Sequence, residues 1–254
     1  MDKGRKSIME IKKILITAPV HQNKNIFLEY LNSINHLTIP NGYEIHKFFY
    51  IHNCEELKEL LQPDEYMIIN DNSFFNIENE KHNWNRENYE IVCKMRTAAL
   101  EKARNENYDY VFSVDSDVLL HPKTLEFLLE DNKDIAVMGY WYRLNGGIGC
   151  NYFYSEYWKK WPNTNENFYK KGVYEVGTAG AVTLIGKRII NMPELNYFPI
   201  DCVPFTKWED YAFCLRAHAL IPDLQIVVDT RLPARHLYTE KDYIRWMMEK
   251  KAYE

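Results

Sequence analysis

The stretch YDYVFSVDSDVLLHP (108–122) places the strongest constraint on what this chain can fold into. Residues 110–114 are almost wholly apolar, as a strand packed inside a core would be, yet Asp115 and Asp117 follow directly. Burying a carboxylate costs on the order of several kcal/mol unless something pairs with it. The run must therefore belong to a core while its end opens on water or a ligand. In an open α/β sheet that place is the carboxyl edge of a strand, where ligands bind.

The flanking chain supplies such a sheet. KKILITAPV (12–20) reads as a strand entering a loop at Pro19, and residues 26–37 carry Phe27, Tyr30, Leu31 and Ile34 at helical spacing. YEIHKFFYI (43–51) is a second strand, CEELKELL (54–61) a short helix and YMIIN (66–70) a third strand. This alternation predicts a sheet with helices against it, parallel where crossovers join its strands. A long helix over 83–108, with Ile91, Met95, Ala98, Ala99 and Lys102 in phase, feeds the strand 110–115. Residues 121–131 begin another helix with Pro122 near its first turn, where a missing N–H does no harm. Strands are predicted at 135–144 and 224–230, and a turn, a strand and a helix start within 174–190. Helices follow at 208–220 and 239–251, the last with Thr239 and Asp242 placed for a capping box.

Composition excludes several classes. With 31 Lys and Arg against 36 Asp and Glu, the net charge of -5 gives no broad footprint for nucleic acid. No stretch approaches the ~18–20 apolar residues of a membrane span. The N-terminal apolar run, residues 14–20, is short and broken by Thr17 and Pro19, so it reads as a first strand and not a signal peptide. Five scattered cysteines without a C-x-x-C pair predict no zinc or redox motif and fit a reducing, cytoplasmic setting. Aromatics at 15% suit sugar handling and core packing alike.

Two carboxylates spaced as Asp115 and Asp117 suit a hard divalent cation, Mg²⁺ or Mn²⁺, which takes oxygen ligands and leaves positions open for phosphate oxygens. A solvated turn after a strand is the competing reading. Glu209 and Asp210 open a helix, where the dipole favours negative charge whether or not they do chemistry. His236 can complete a metal site, although a lone His is more often a surface or core residue. Arg96 either offsets phosphate charge or is a solvated helix residue. Gly177 and Gly180, with Thr178 and Ala179, allow close backbone approach to a ligand or form a tight turn. Asp71 and Asn72 reach a nucleotide or make a plain turn. The aromatic run 140–162, with Gly146, Gly147 and Gly149, offers rings for an acceptor or for packing. Tyr243, Ile244, Trp246, Met247 and Met248 form an apolar helix face whose commonest fate is docking on its own domain. Dimerisation and peripheral membrane contact are the minor alternatives.

The ordered set VFSVDSDVLL after a helix bearing Arg96, VGTAGAVTLIGKRII, WEDYAFCLRA and VVDTRLPARH resembles the GT-A glycosyltransferases, family 2-like members especially. The resemblance covers roughly residues 14–236. It implies one GT-A-type α/β domain over 1–254, a Rossmann-like mixed, mainly parallel central sheet flanked by helices. Its nucleotide-sugar half would span about 11–120, its acceptor half about 121–238, and a C-terminal helix 239–254. It also implies a Mn²⁺ or Mg²⁺ site formed by Asp115, Asp117 and His236, in which Asp117 coordinates the ion and Asp115 contacts the ribose or a metal-bound water, with Ser116 between them in the donor site. Thr17, Pro19, Asp71, Arg96 and Gly180 would complete the donor pocket. In inverting relatives the Asp of an E-D pair is the general base, which assigns that role to Asp210 with Glu209 in support. The co-substrate would be a UDP-sugar and the acceptor a carbohydrate, glycolipid or protein hydroxyl. Retaining GT-A enzymes share D-x-D and a C-terminal His. Processive synthases carry a Q-x-x-R-W motif and membrane spans, which are missing here and favour addition of a single sugar.

Three other readings compete with this one. A haloacid-dehalogenase-like phosphatase continues D-x-D-x-[TV] near its N-terminus, whereas Leu119 holds that last position here. A nucleotidyltransferase needs a Gly-rich loop ending in Arg or Lys, and none follows ILITAPV. A non-catalytic carbohydrate-binding protein on a transferase fold would not need Asp115, Asp117, Asp210 and His236 together.

Overall fold

The computed structural model describes residues 11–70, 86–142, 147–149, 171–178, 180–201 and 208–253. Strand β1 (Lys12–Val20) forms on the first apolar run and feeds two cores, with Ile14, Ile16 and Ala18 on one face and Leu15 on the other. Helix α1 (Lys24–Asn35) starts where the Asn23 side chain accepts the Asn25 amide at 2.8 Å, and it lays Phe27, Tyr30, Leu31 and Ile34 on the first core. Strand β2 (Tyr43–His52), a 3-10 turn (Glu55–Leu60) and strand β3 (Tyr66–Ile69) follow, close to their predicted bounds.

Helix α2 (Arg86–Asn105) packs Cys93, Leu100 and Ala103 on the second core. It hands over to β4 (Tyr110–Val114), which turns through the Asp pair into the two-residue strand β5 (Val118–Leu119). Pro122 lies in the turn before helix α3 (Thr124–Asp131), which stops at Asn132 in the left-handed region at φ 49°. The remaining elements are β6 (Ile135–Tyr142), β7 (Gly147–Gly149), β8 (Val173–Glu175), β9 (Val182–Gly186), α4 (Lys187–Ile190), α5 (Glu209–Leu220), β10 (Ile226–His236) and α6 (Glu240–Tyr253).

These strands join one ten-stranded sheet in the order β3-β2-β1-β4-β9-β6-β10-β5, with β7 beside β6 and β8 beside β10. β3, β2, β1, β4, β6 and β10 run one way and β9 and β5 run against them, so the sheet is mixed and mainly parallel. Burial on both faces is what apolar parallel strands require. A single sheet thus runs through both predicted halves.

Two differences from the sequence reading shape the site. β10 continues past residue 230 to His236, because residues 230–233 bulge out opposite Gly139 alone and the strand then re-pairs at Ala234 and Arg235. Pro233 sits inside that bulge, where no ladder amide is needed. β5 is too short to show a period, yet it pairs Val118 with His236 and Leu119 with Arg235. Thr239 and Asp242 cap α6 reciprocally at 2.9 and 3.2 Å. Tyr243 and Trp246 dock on Ile26, Leu119 and Leu237, while Ile244 and Met248 stay exposed. Among the described residues no helix is long and apolar enough to cross a membrane.

Candidate active site

The Asp pair occupies the carboxyl end of β4, as its sequence position requires. The Asp115 amide donates to the Ala181 carbonyl at 2.7 Å, carrying the β4–β9 ladder one residue further, and the Val118 amide closes a turn on the Asp115 carbonyl at 3.0 Å. Ala181 adopts a left-handed φ of 57°, and Gly180 accepts from the Val182 amide at 2.6 Å beside it. Gly180 therefore lies next to the D-x-D corner, and Ser116 is buried within that corner.

Asp115 and Asp117 face different partners. Arg96, only 5% exposed, donates through Nη2 to Asp115 Oδ1 at 2.6 Å and through Nη1 to Ser113 Oγ at 2.8 Å. Its Nε lies 3.7 Å from Glu209 Oε1, and its guanidinium stands 5.8 Å from the Tyr197 ring centre. Arg96 is thus neither a solvated helix residue nor an open phosphate ligand. It is the buried cation that lets Asp115 and the E-D pair gather at one point.

Asp117 faces His236 instead, with Oδ2 at 3.2 Å from Nε2. The Leu237 amide donates to the Asp117 carbonyl at 2.7 Å, fastening the end of β10 to the D-x-D turn. Tyr140 and Tyr238 stand edge-on to the imidazole at 5.5 and 5.3 Å between centres. An octahedral ion with ligands at about 2.1 Å keeps neighbouring donors about 3 Å apart, so a carboxylate and an imidazole at this spacing fit adjacent positions on a divalent ion. Among the described residues no third His, Cys, Asp or Glu joins them, which leaves the other positions to substrate oxygens and water. Asp115, its Oδ1 held by Arg96, is the more exposed of the two aspartates.

The electrostatics follow from burial. Desolvation raises the Asp115 carboxyl above its ordinary value against the pull of Arg96, and the Asp117 charge adds to the rise. Burial likewise raises Glu209, and it lifts Asp210 well above the usual carboxylate range, Arg96 opposing and Glu209 and Asp115 assisting. For His236 burial works against the charged form, but the facing Asp117 carboxylate outweighs it and raises the pKa. The three carboxyls around the one buried cation, Asp115, Glu209 and Asp210, therefore hold protons more readily than isolated carboxylates would.

Thr17 and Pro19 reach the same region from β1, but with Arg96, Ser113 and Tyr197 they line a void of about 10 Å³, room for about one water molecule. Thr17 is buried, so it lies beneath the site and not in an open groove. Gly177 and Thr178 are buried nearby, and the Gly177 carbonyl meets His218 Nε2 at 3.0 Å. Asp71, Asn72, Ala179 and most of the aromatic run 140–162 lie outside the described residues. Sequence reasoning missed Ser113 and the pairing of Arg96 with the E-D pair. The phase of Arg96 with the buried Val92, Ala99 and Ala103 on α2 was the signal that could have found it.

The mixed sheet, with the D-x-D corner at the end of β4 and the E-D pair and His236 brought to it by α5 and β10, is that of a GT-A glycosyltransferase. The chain belongs to glycosyltransferase family 25: residues 44–221 match the family described as "Glycosyltransferase family 25, N-terminal domain", which refines the family 2-like resemblance. It is 26% identical over 176 residues to procollagen galactosyltransferase 1-A of Xenopus laevis, covering 58% of this chain and 27% of that protein. With procollagen galactosyltransferase 1-B of the same organism it shares 32% identity over 100 residues, 34% of this chain and 16% of the relative. The chain thus spans about a quarter or less of the length of these relatives. Among solved structures, S. aureus TarS in complex with UDP-GlcNAc superposes with a TM-score of 0.52 at 14% identity, covering 88% of this chain and 58% of that one. TarS in complex with UDP gives 0.51 at 15% identity, covering 92% and 62%. These two likenesses bear on the fold.

Proposed function

We propose that the chain transfers a single hexose from a UDP-sugar to a hydroxyl acceptor, with inversion at the anomeric carbon and a bound Mn²⁺ or Mg²⁺. The observation that carries this reading is the Asp117–His236 pair, 3.2 Å apart at the carboxyl end of β4. Asp117 and His236 would hold the ion, and Asp115, fixed by Arg96, would meet the ribose or a metal-bound water. When bound, the ion offsets negative charge on the departing diphosphate. Asp210, at the first turn of α5, takes the proton of the acceptor hydroxyl as its oxygen bonds to the anomeric carbon and the bond to UDP breaks. Glu209 orients acceptor groups beside it. The names of the curated relatives favour galactose as the sugar and a protein as the acceptor. A cytoplasmic setting, expected from the cysteines, belongs to the same proposal.

The test is a panel of nucleotide sugars with Mn²⁺ or Mg²⁺, following release of nucleoside diphosphate with and without EDTA. UDP-galactose should be turned over fastest, EDTA should stop release, and NMR of the product should show the anomeric configuration inverted. Absence of both turnover and binding for every donor would sink the enzyme reading. A retained configuration would sink only the assignment of Asp210 as base.

A further inference from the structure

His236 reaches Asp117 only after a detour in β10. The strand pairs with β6 as far as Asp229, leaves the ladder over residues 230–233 and re-enters it at Ala234, two residues before His236. The length and pose of this bulge therefore set where His236 arrives. Arg231 stands in the middle of it. Its backbone amide donates to Asp229 Oδ1 at 2.8 Å, its Nε to both Asp229 oxygens at 3.0 and 2.9 Å, and its Nη2 to Asp229 Oδ2 at 2.7 Å. The same Nη2 crosses to Asp131 Oδ1 at 2.9 Å and to the Phe127 carbonyl at 3.4 Å, and the guanidinium lies 4.3 Å from the Phe127 ring centre. Asp229 is fully buried, so this fork works in a setting where charge-assisted bonds are strong. Asp131 and Phe127 belong to α3, the helix that follows β5, and β5 follows directly on Asp117.

We propose that Arg231 is a positioning residue of the active site: its guanidinium ties the β10 bulge to α3 and so holds His236 opposite Asp117 at the spacing a divalent ion needs. It touches neither substrate nor ion. The two segments that deliver the ligand pair, β10 on one side and the Asp117–β5–α3 run on the other, already meet where β5 pairs with the end of β10 and the Leu237 amide reaches the Asp117 carbonyl, and Arg231 adds a second tie that fixes the bulge against α3. Thr230 steadies the other flank of the bulge, its amide donating to the Gly172 carbonyl at 2.8 Å. The inference rests on the metal-binding reading of Asp117 and His236.

Titration with Mn²⁺ alone, read as free Mn²⁺ by electron paramagnetic resonance, tests it on the whole chain. Arg231→Met should weaken Mn²⁺ binding about 10- to 100-fold, the usual loss when a group supporting a metal ligand is removed. Transfer by this variant should return toward the wild-type rate at saturating Mn²⁺, a recovery that mere loss of folded protein would not give. Asp131→Ala removes the shortest of the contacts between Arg231 and α3, leaving those to Phe127 and Glu130, so it keeps the test open if Arg231→Met fails to fold, and it should weaken Mn²⁺ binding in the same direction. Arg188→Met, which breaks pairs with Asp134 and Asp223 away from the site, should leave affinity unchanged. Wild-type Mn²⁺ affinity in folded Arg231→Met or Asp131→Ala protein overturns the proposal. Where the wild type binds Mn²⁺ and Asp117→Asn does not, such unchanged affinity removes the positioning role alone and leaves the metal reading standing. If the wild type binds no Mn²⁺, the metal reading falls and takes the positioning role with it.

Discussion

At the scale of single residues, Arg96 decides whether the site exists. Its neighbours Asp115 and Glu209 are carboxylates in a desolvated corner, and only a fixed buried cation makes that arrangement tolerable. Arg96→Met should therefore cost about 3–5 kcal/mol in urea denaturation, the range for breaking a buried ion pair from one side, and a loss below about 1 kcal/mol would show that the corner is wetter than its burial suggests. Asp210 carries a second prediction, because burial and the Glu209 charge raise its pKa. A base with a raised pKa loses its active form sooner as pH falls, so transfer should decline on the acid side. Glu209→Gln removes one of the charges that raises Asp210, and this limb of the pH–rate profile should then move to lower pH. Asp210→Asn should cut the rate about 10²–10⁴-fold at every pH. Asp115, Asp117, Asp210 and His236 were legible in the sequence because their types and order carry chemistry. Their division into an Arg96-bound group and a His236-bound Asp117 was not, since it depends on which strands become neighbours.

At the scale of elements, the contact between β10 and α3 holds a charge balance that should be visible in stability. Asp131 is raised to about 7, chiefly by burial and next by the Asp229 charge, which together outweigh Arg231. A carboxyl whose pKa is higher folded than unfolded binds more protons in the native state between the two values. Stability then falls as pH rises from about 4 to about 7, by at most about 1.4 kcal/mol per unit, and levels off above. Asp131→Asn should flatten that slope relative to wild type in denaturation curves taken from pH 4.5 to 8, and an unchanged slope would place the proton elsewhere. Periodicity exposed β1, β2, β4, β6 and the helices, because each buries one stripe or both faces over enough residues to repeat. β5 and the far end of β10 escaped it, the first for having only two residues and the second for lying beyond a bulge around Pro233 that breaks the alternation. The part of the strand that periodicity cannot see is the part that carries His236.

At the scale of the whole molecule, the sheet order explains why ligands should stabilise both halves together. β9, from the C-terminal half, runs antiparallel between β4 and β6, so the strand bearing the Asp pair is hydrogen-bonded on one side to β1 and on the other to a segment some seventy residues later. Nothing local in residues 182–186 announces that insertion, because a pairing partner is a property of the closed sheet and not of the strand. With α5 delivering Asp210 and β10 delivering His236 to the same corner, a donor and an ion bound there would draw on both halves. At 100 times its dissociation constant a ligand of the native state adds about 2.7 kcal/mol, which for a chain of this size corresponds to about 5–10 °C in Tm. UDP with Mn²⁺ should therefore raise a single cooperative transition by that order, UDP alone by less, and EDTA should reverse the difference. Asp117→Asn should abolish the metal-dependent part while leaving the transition single, since the ion and the diphosphate would share that carboxylate's corner but the sheet would not depend on it. An equal shift from UDP with and without Mn²⁺ would instead mean that the nucleotide binds without help from the Asp117–His236 pair, and the metal-dependent mechanism would have to be abandoned.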